Sequence, residues 1–544
     1  MDFSPRIKSF LPWTALGAFL PILLMSARTS TAANFLLPRT SLTAMHSHFL
    51  ALTPITKALI DRGHHVTLLL LDKKGTSGFI PGAYSSNITI PHSMTGQEVK
   101  DVSEMLDKSS SNSPSLSKMW DGELSRLLDL YNYGCSKLFK NKDILEKLKK
   151  EDIDMVITTP ISDACDPLIA AYLNIPFIVV TVGRRTPFWH EGRLGVPTPL
   201  SYVPFSFLLN YSDRMDFSER LMNFVVSHTI HPLIEYVIAY RPVAQLQALH
   251  GIRPDLNPWE ILNRGALWLC HWTLALEYSQ PTAPNWIPIP GATPMDPKPL
   301  PAKLRDFVEG SRDGFIVFSL GSGTTAFDNQ TVTDTIAKVF SKLPQRVVWR
   351  YIGPKPRYLG NNTLILDWLP QTDLLAHPSV RLLIYHGGSG GVHEAINFGV
   401  PMLLFPLGRD QPTNAQRVAA KGIGISLQLG NLDEKLLTDS MHQLLQNTSY
   451  KENARRASAI LRDRLASPLD TAVFWIEHVV KFGGDHLRLR ATEMGFIQLH
   501  SLDVIAFLVV ISVTWSYLSY VILAACCRSL CKRNKSKISK TKKD

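Results

Sequence analysis

Short runs of apolar residues alternate with helix-like stretches along most of the chain. The runs are continuously apolar, which is typical of parallel strands that are buried on both faces of a sheet. In the first half the predicted strands are residues 35–37, 66–71, 154–159 and 176–181, with a helix over 49–60. In the second half they are residues 315–319, 346–350, 364–366, 380–385 and 402–405. The chain is therefore predicted to be an α/β protein with two parallel sheets.

A proline-rich segment separates the two halves. Residues 288–301 contain six prolines, which is typical of a semi-rigid linker. We predict an N-terminal domain over 34–287, a C-terminal domain over 302–470 and a helical return over 471–500. Ligands of such sheets bind beyond the carboxyl ends of the strands. The cleft between the two domains is therefore the predicted site.

Two segments direct the chain to a membrane. Residues 1–33 combine basic residues, an apolar stretch over 10–25 and small residues up to Ala33, which is the pattern of a cleaved signal peptide. Residues 504–527 carry no charge and are numerous enough to cross a bilayer as a helix. The tail, residues 528–544, is strongly basic, which predicts a cytosolic tail and a lumenal body in the single-pass type I orientation.

The basic tail also explains most of the net charge. Of the formal charge of +11, the tail contributes +7, so nucleic-acid binding is not indicated. Within the tail, Lys540 and Lys542 have the spacing of an endoplasmic-reticulum retrieval signal, although a plain stop-transfer cluster has the same composition. Glycosylation triplets that agree with a lumenal body begin at Asn87, Asn210, Asn329, Asn361 and Asn447.

Cysteines are few, and the body of the chain contains only Cys135, Cys165 and Cys270. At most one disulfide can form there, and unpaired thiols are the preferred interpretation because no disulfide framework is present. No zinc-ligand spacing occurs. Residues 84–117 are polar and Ser-rich and give no prediction of helix or strand, whereas residues 186–260 are irregular, helical and rich in aromatic side chains.

The residues that carry chemistry are concentrated between 367 and 411. Here a predicted strand is followed by His386-Gly387-Gly388 and then by a helix. Glycines let the backbone approach a diphosphate, and a helix N-terminus offers free N–H groups and a partial positive charge. Trp368 offers a face for a base, and Glu394, two helical turns after His386, offers a carboxylate for ribose hydroxyls.

Trp368 through Gln411 resembles the signature of the UDP-glycosyltransferase family, which includes animal glucuronosyltransferases and ceramide galactosyltransferase. The stretch 343–377, LPQRVVWRYIGPKPRYLGNNTLILDWLPQTDLLAH, carries the likeness further, and the similarity extends from Ala33 through the membrane anchor. The resemblance implies the GT-B fold, in which two Rossmann-like domains face each other. It also implies an acceptor in the N-terminal domain, a UDP-sugar in the C-terminal domain and no metal.

The resemblance assigns roles to individual residues of the donor half. Trp368 would stack on uracil, Gln371 would contact the nucleoside, and Glu394 would bind ribose. The residues that would hold the diphosphate and the sugar are Ser322, Arg350, His386, Gly388, Gly390, Asp410 and Gln411.

The resemblance also places a catalytic base at the start of the first helix. His48 is the candidate, because it precedes Gly63 by the family's spacing, and His46 is its neighbour. A histidine titrates near neutral pH and can take the proton of an attacking hydroxyl. The family's partner aspartate would follow the strand 154–159, but this chain has Thr159 there. Asp163 or Asp166 are candidate substitutes, and ordinary acids of a helix N-terminus are the alternative.

Other departures from the family pattern lie in the donor half, at Tyr385, Gly390 and Arg409. The favoured interpretation is an inverting hexosyltransferase that uses UDP-glucose or UDP-glucuronic acid and a small lipophilic acceptor. The alternatives are a catalytically impaired member that binds the UDP-sugar, and a ceramide galactosyltransferase that uses UDP-galactose. The oligomeric state stays open, with a homo-oligomer as one alternative.

Overall fold

A computed structural model describes residues 32–40, 46–71, 82–91, 123–159, 164–181, 196–205, 209–291, 295–321, 329–408 and 410–541. Its described strands form two parallel sheets, one in each half of the chain. All strand pairs within both sheets run parallel, as the continuously apolar runs predict.

The first sheet has the strand order β3-β2-β1-β4-β5-β6-β7. Its strands are β1 (Asn34–Arg39), β2 (His65–Leu71), β3 (Ser86–Ile90), β4 (Met155–Thr158), β5 (Phe177–Thr181), β6 (Gly265–Cys270) and β7 (Trp286–Pro288). The helices of this half are α1 (His46–Asp61), α2 (Glu123–Lys140), α3 (Lys142–Lys150), α4 (Cys165–Leu173), α5 (Phe217–Glu235), α6 (Arg241–His250) and α7 (Pro258–Asn263).

The second sheet has the order β10-β9-β8-β11-β12-β13. Its strands are β8 (Phe315–Ser319), β9 (Arg346–Arg350), β10 (Thr363–Leu366), β11 (Val380–Tyr385), β12 (Met402–Leu404) and β13 (Gly424–Ser426). The helices of this half are α8 (Ala302–Glu309), α9 (Gln330–Phe340), α10 (Gln371–Ala376), α11 (Ser389–Asn397), α12 (Gln411–Ala420), α13 (Glu434–Gln446) and α14 (Thr448–Arg462).

Successive residues of the central strands enter cores on opposite faces of each sheet. In β1, Phe35 packs in one buried cluster and Leu36 in another. In β8, Val317 and Phe318 divide between two clusters in the same way. Helices on both faces therefore exclude water from the strands, which explains why these strands show no alternation of apolar and polar residues.

The strands that the sequence pattern predicts are present, and each predicted bound lies within two residues of the observed one. Four strands were not predicted: β3, β6, β7 and β13. Strand β3 alternates exposed and buried residues at the edge of its sheet, within the polar stretch that gave no prediction. Strands β7 and β13 have three residues each, which is too short for a periodic signal.

The C-terminal part of the chain returns to the first sheet. Helix α15 (Pro468–Phe482) buries Val473 and Ile476 in the same cluster as Phe35. The half-buried Glu477 of this helix approaches the buried ring of His64, with 3.2 Å between Oε1 and Nε2. Helix α15 begins three residues before the predicted helical return over 471–500. The predicted linker between the two domains begins at Pro288, which is the last residue of β7.

A long helix, α17, follows the short helix α16 (Phe496–Leu499) and spans Leu502–Thr541. Its segment Leu502–Leu530 is long and apolar enough to cross a membrane, and none of its most apolar stretch is buried against the protein. The predicted span 504–527 lies within this segment. The predicted signal peptide falls almost wholly outside the described residues, although Ala33 itself is buried and donates its N–H to Nδ1 of His64 at 3.0 Å.

The preference for unpaired thiols is wrong for two of the three body cysteines. Cys135 on α2 and Cys165 at the first position of α4 form a disulfide, and Cys270 is a free, buried thiol. Both helices cover the same face of the first sheet, and both cysteines belong to one buried cluster. Tertiary packing thus brings together two residues 30 positions apart, which cysteine spacing alone does not indicate.

Candidate donor site

The predicted donor residues gather at the carboxyl-terminal edge of the second sheet. Strands β8, β9 and β11 end at Ser319, Arg350 and Tyr385, and these strands are neighbours. Since parallel strands end at one edge, the segments that follow them converge there. The sequence spacing and the sheet order therefore agree on the location of the site.

Arg350 lies at the centre of this edge with its side chain buried. Its guanidinium donates to the carbonyl oxygens of Gly321 and Asp367, the latter at 3.1 Å, and it lies 5.1 Å from the ring centroid of Trp368. Burial lowers the pKa of Arg350 below its ordinary value. No carboxylate forms an ion pair with it in the described part of the chain, so an anionic ligand would supply the missing countercharge.

Trp368 supplies an accessible aromatic surface next to that guanidinium. Its side chain is 65% exposed, although large apolar side chains are normally buried. An exposed indole beside a cationic group is suited to stack on a planar base.

His386 begins the Gly-rich turn after β11, and its imidazole lies between two glycines. A Cβ atom on Gly321 or on Gly388 would overlap the ring, and Gly321 also has a φ of +84°. Burial lowers the pKa of His386 to about 3, so the ring is neutral at physiological pH. Its Nδ1 atom is buried and has no hydrogen-bond partner among the described residues, which leaves it available to a ligand.

Helix α11 starts directly after this turn, and Gly388 occupies its N-cap position without a side-chain cap. The first backbone N–H groups of the helix therefore lack the usual side-chain acceptor, which suits a phosphate. Gly390 faces open space, whereas a Cβ on Gly391 would overlap the ring of Tyr385. Tyr385 is a departure from the family pattern, and its size is accommodated because residue 391 is a glycine.

Glu394, in the second turn of α11, is fixed by two side chains of α10. Its carboxylate accepts from Nε2 of Gln371 at 2.5 Å and from Oγ1 of Thr372 at 3.1 Å. Burial raises the pKa of Glu394, and the two hydrogen bonds oppose that effect. Gln371 and Glu394 therefore lie together, as expected for residues that contact one nucleoside.

Asp410 and Gln411 lie at the start of α12. The Gln411 side-chain oxygen accepts from the backbone N–H groups of Leu407 and Gly408, at 2.7 Å and 3.2 Å. Asp410 accepts from Nδ2 of Asn414 at 2.8 Å. Gln411 is thus partly used in shaping its own loop, while its amide nitrogen remains a donor.

The acceptor side is described only in part. His48 lies in the first turn of α1, after the first strand, where the resemblance expects it, and its side chain lies outside the described atoms. Asp163, Ser322 and Arg409 also lie outside the described residues. Thr159 directly follows β4, at the position of the family's aspartate.

Asp166 is the described candidate for a substitute carboxylate. It lies in the first turn of α4, is buried, and accepts a hydrogen bond from the hydroxyl of Thr158 at the end of β4. The side chain is therefore bound at the carboxyl edge of the first sheet rather than exposed on a helix surface. Its place in the first turn of α4 also fits the alternative of an ordinary acid at a helix N-terminus, so both interpretations of Asp166 stay open.

Sequence reasoning missed three polar side chains near Asp410. Asn414 and Arg417 follow Asp410 on α12, and Glu277 comes from the first half of the chain. Their buried positions could not be predicted from composition. The sequence spacing does indicate that Asp410, Asn414 and Arg417 share one face of a helix, because Asn414 and Arg417 follow Asp410 by one and two turns.

A protein-family model described as "UDP-glucoronosyl and UDP-glucosyl transferase" matches residues 40–537. The chain is 34% identical to the UDP-glucuronosyltransferase 1A9 of Homo sapiens over 483 residues, which cover 87% of this chain and 88% of that protein. It is 31% identical to the UDP-glucuronosyltransferase 1A9 of Mus musculus over 529 residues, which cover 96% of this chain and 97% of that protein.

Solved glycosyltransferase structures share the architecture. The spinosyn forosaminyltransferase SpnP superposes with a TM-score of 0.56 and 17% identity, covering 83% of this chain and 100% of that one. The glycosyltransferase SnogD from Streptomyces nogalater gives a TM-score of 0.53 and 19% identity, covering 82% and 99%. These likenesses confirm the predicted GT-B fold.

Proposed function

Because the chain belongs to the UDP-glucuronosyl and UDP-glucosyl transferase family, we propose that it transfers glucose or glucuronic acid, with inversion, from the UDP-sugar to a hydroxyl of a small lipophilic acceptor. That the chain is a glycosyltransferase acting on UDP-sugars follows from the family itself.

The observation that carries the donor assignment is the buried guanidinium of Arg350. Its described partners are two carbonyl oxygens and an indole ring. A diphosphate at this edge would compensate the buried charge, and charge-assisted hydrogen bonds of this kind are about twice as strong as neutral ones. Neutral His386 and the N–H groups that begin α11 would contribute further donors to the phosphate oxygens.

The nucleoside would lie beside the diphosphate. Trp368 would stack on uracil, while Glu394, oriented by Gln371 and Thr372, would accept hydrogen bonds from ribose hydroxyls. Asp410 and the amide nitrogen of Gln411 would bind hydroxyls of the sugar. The Asp-Gln pair is the basis for favouring glucose or glucuronic acid over galactose.

The chemical step proposed is a single displacement. The acceptor oxygen forms a bond to the anomeric carbon as the bond from that carbon to the UDP oxygen breaks. His48 takes the hydroxyl proton, and the charge that develops on UDP is stabilised by Arg350 and the N–H groups of α11. Because these groups supply the positive charge, we expect no metal ion to be needed, and activity that survives chelation would support this expectation.

Two features support the proposed acceptor and location. The described part of α5 exposes large apolar side chains, among them Phe217, Leu221 and Phe224. Helix α17 has the length and composition of a membrane span. We propose an endoplasmic-reticulum membrane protein with a cleaved signal peptide and a glycosylated lumenal body, which meets lipophilic acceptors near the bilayer.

The test is sugar transfer in detergent-permeabilised membranes. UDP-glucose, UDP-glucuronic acid, UDP-galactose and UDP-N-acetylglucosamine would each be offered with a panel of phenols, sterols and ceramide. The wild type would be compared with His48→Ala, and with His46→Ala as the matched control. Transfer from UDP-glucose or UDP-glucuronic acid that is lost only in His48→Ala is the expected result.

Other outcomes separate the alternatives. Transfer from UDP-galactose alone would identify the galactosyl alternative. Wild-type protein that binds UDP but transfers none of the four sugars would identify the catalytically impaired member, for which Thr159 in place of the family's aspartate is the motivating observation.

A further inference from the structure

A chain of buried polar side chains joins a loop of the first sheet to the donor site. Glu277 lies between β6 and β7, and Arg417 lies on α12. Nε of Arg417 is 3.1 Å from Oε2 of Glu277, and its Nη1 donates to Oε1 at 3.2 Å. The two side chains are 6% and 2% exposed, so this ion pair, which combines one hydrogen bond with one close charge contact, is almost entirely removed from water.

The ion pair continues into the residues that surround the donor sugar. Nη1 of Arg417 also donates to the side-chain oxygen of Asn414 at 3.3 Å. The amide nitrogen of Asn414 donates in turn to the Gly387 carbonyl at 2.9 Å and to the Asp410 carboxylate at 2.8 Å. Because Arg417 can only donate, it determines which end of the Asn414 amide is the oxygen and directs the NH₂ group towards the donor site.

Packing alone does not require these charged residues. The loop that carries Glu277 already buries Ala275 and Leu276 in the core of the second sheet. A buried ion pair is seldom more stabilising than apolar side chains of similar volume, whereas it does impose one geometry. Apolar side chains at positions 277 and 417 could fill the same space, but they could not orient the amide of Asn414.

His393 is a titratable group next to this pair. Burial lowers its pKa, so the ring is neutral, and its Nδ1 lies 2.8 Å from the Ser389 carbonyl oxygen.

We propose that Glu277 and Arg417 are positioning residues for the donor sugar, acting through Asn414 on the Asp410 carboxylate and on the Gly387 turn. The inference rests on the proposed binding of a UDP-sugar at this edge. It adds that a loop from the acceptor half of the molecule sets the geometry of the donor half.

The test uses the full-length chain in permeabilised membranes and the Glu277→Leu, Arg417→Met double variant. Removing both charges avoids an unpaired buried charge, so this variant is expected to fold. We expect the KM for the UDP-sugar to rise about 10-fold, the equivalent of one charge-assisted hydrogen bond, with the acceptor KM unchanged. Glu277→Gln, which can still accept from Arg417, should give a smaller rise.

The matched control is Glu434→Gln, which breaks an exposed ion pair with Lys338, 2.7 Å apart in the same half of the chain. It should leave both KM values unchanged. A double variant with the wild-type melting temperature and the wild-type donor KM would overturn the proposal. So would an equal loss of kcat for all substrates with both KM values unchanged, because that is the signature of a smaller folded fraction.

The design also separates this inference from the proposed function. If the wild type binds UDP-sugars without turnover, the dissociation constant of the UDP-sugar is measured in place of KM. The double variant should then bind the UDP-sugar roughly 10-fold more weakly than the wild type, which corresponds to the loss of about one hydrogen bond. If the wild type binds neither UDP nor any UDP-sugar, the proposed function fails, and this inference fails with it.

Discussion

Replacing Arg350 with methionine should weaken UDP binding while leaving the fold intact. The guanidinium is buried and compensated in the described structure only by the Gly321 and Asp367 carbonyls and the Trp368 ring. A hydrogen bond to a charged phosphate is worth about 1.5–3 kcal/mol. The variant should therefore bind UDP roughly 10- to 150-fold more weakly.

The same substitution should have a small effect on the free energy of unfolding. Methionine removes the desolvation penalty that lowers the pKa of Arg350, but it leaves two carbonyl oxygens without their donor. Each of these opposing terms is about 1–3 kcal/mol, so they largely cancel. A loss of UDP affinity without a loss of stability distinguishes a ligand-binding arginine from a structural one.

The assay is calorimetric titration with UDP on detergent-extracted protein, together with the melting temperature without UDP. The matched control is Arg346→Met, at the other end of β9, where the guanidinium bonds to the Phe307 carbonyl and lies 5.0 Å from the Phe307 ring. That variant should keep its UDP affinity. An Arg350→Met protein that melts normally and binds UDP as tightly as the wild type would refute the reasoning.

Three further predictions concern stability and pH. Reducing the Cys135–Cys165 disulfide, which closes a 30-residue loop, should lower the stability of the first half by about 3–4 kcal/mol. The expected result is a lower melting temperature in reductant. The control protein, with both cysteines replaced by alanine, should melt at the same temperature with and without reductant. Burial raises the pKa of Glu394 above 4.5. Because ribose binding needs its ionised form, UDP affinity should fall as pH decreases through that raised pKa, and calorimetry on Glu394→Gln should show no such dependence. Gly391→Ala should destabilise by about 1–3 kcal/mol through overlap with Tyr385, in denaturant unfolding, while Gly390→Ala, which meets open space, should not.

The sequence pattern predicts the two-sheet architecture because strands buried on both faces leave an unambiguous signal. Strands β8, β9 and β11 were predicted with the observed bounds, and each lies inside its sheet. Three of the four strands that were not predicted, β3, β7 and β13, lie at sheet edges, where residues need less apolar character, whereas β6 is buried inside its sheet and was missed although it carries the apolar signal. Strand β3 at one edge, with the pattern Ser-Asn-Ile-Thr-Ile, is the clearest example.

Local motifs predict local parts of a site, and long-range pairs escape them. The Gly-rich turn, Trp368 and the Gln371–Glu394 pair lie close in sequence around neighbouring strands, so spacing and strand order are enough to group them. Glu277 and Arg417 are 140 positions apart and belong to different halves. Their pairing depends on how one loop packs on the opposite domain, which periodicity does not encode.

The donor half and the acceptor half differ in how far their chemistry departs from the family pattern. Around the donor, Tyr385 is accommodated by the glycine at 391, whereas a side chain at position 390 would meet open space, so packing does not require the glycine there. On the acceptor side, Thr159 stands where the resemblance places the aspartate that would orient His48, and in comparable triads the loss of this carboxylate costs about 10⁴-fold in kcat.

The turnover number therefore tests whether His48 has a carboxylate partner on the acceptor side. Typical enzymes turn over at about 10 per second, so a comparable rate here would require a carboxylate partner for His48. Asp166 is buried at the carboxyl edge of the first sheet, seven residues after Thr159, and is already bound to the hydroxyl of Thr158. A slow enzyme with tight UDP binding would mean that this bond keeps Asp166 in a structural role, whereas a fast one would mean that Asp166 or Asp163 has taken over the function of the missing aspartate.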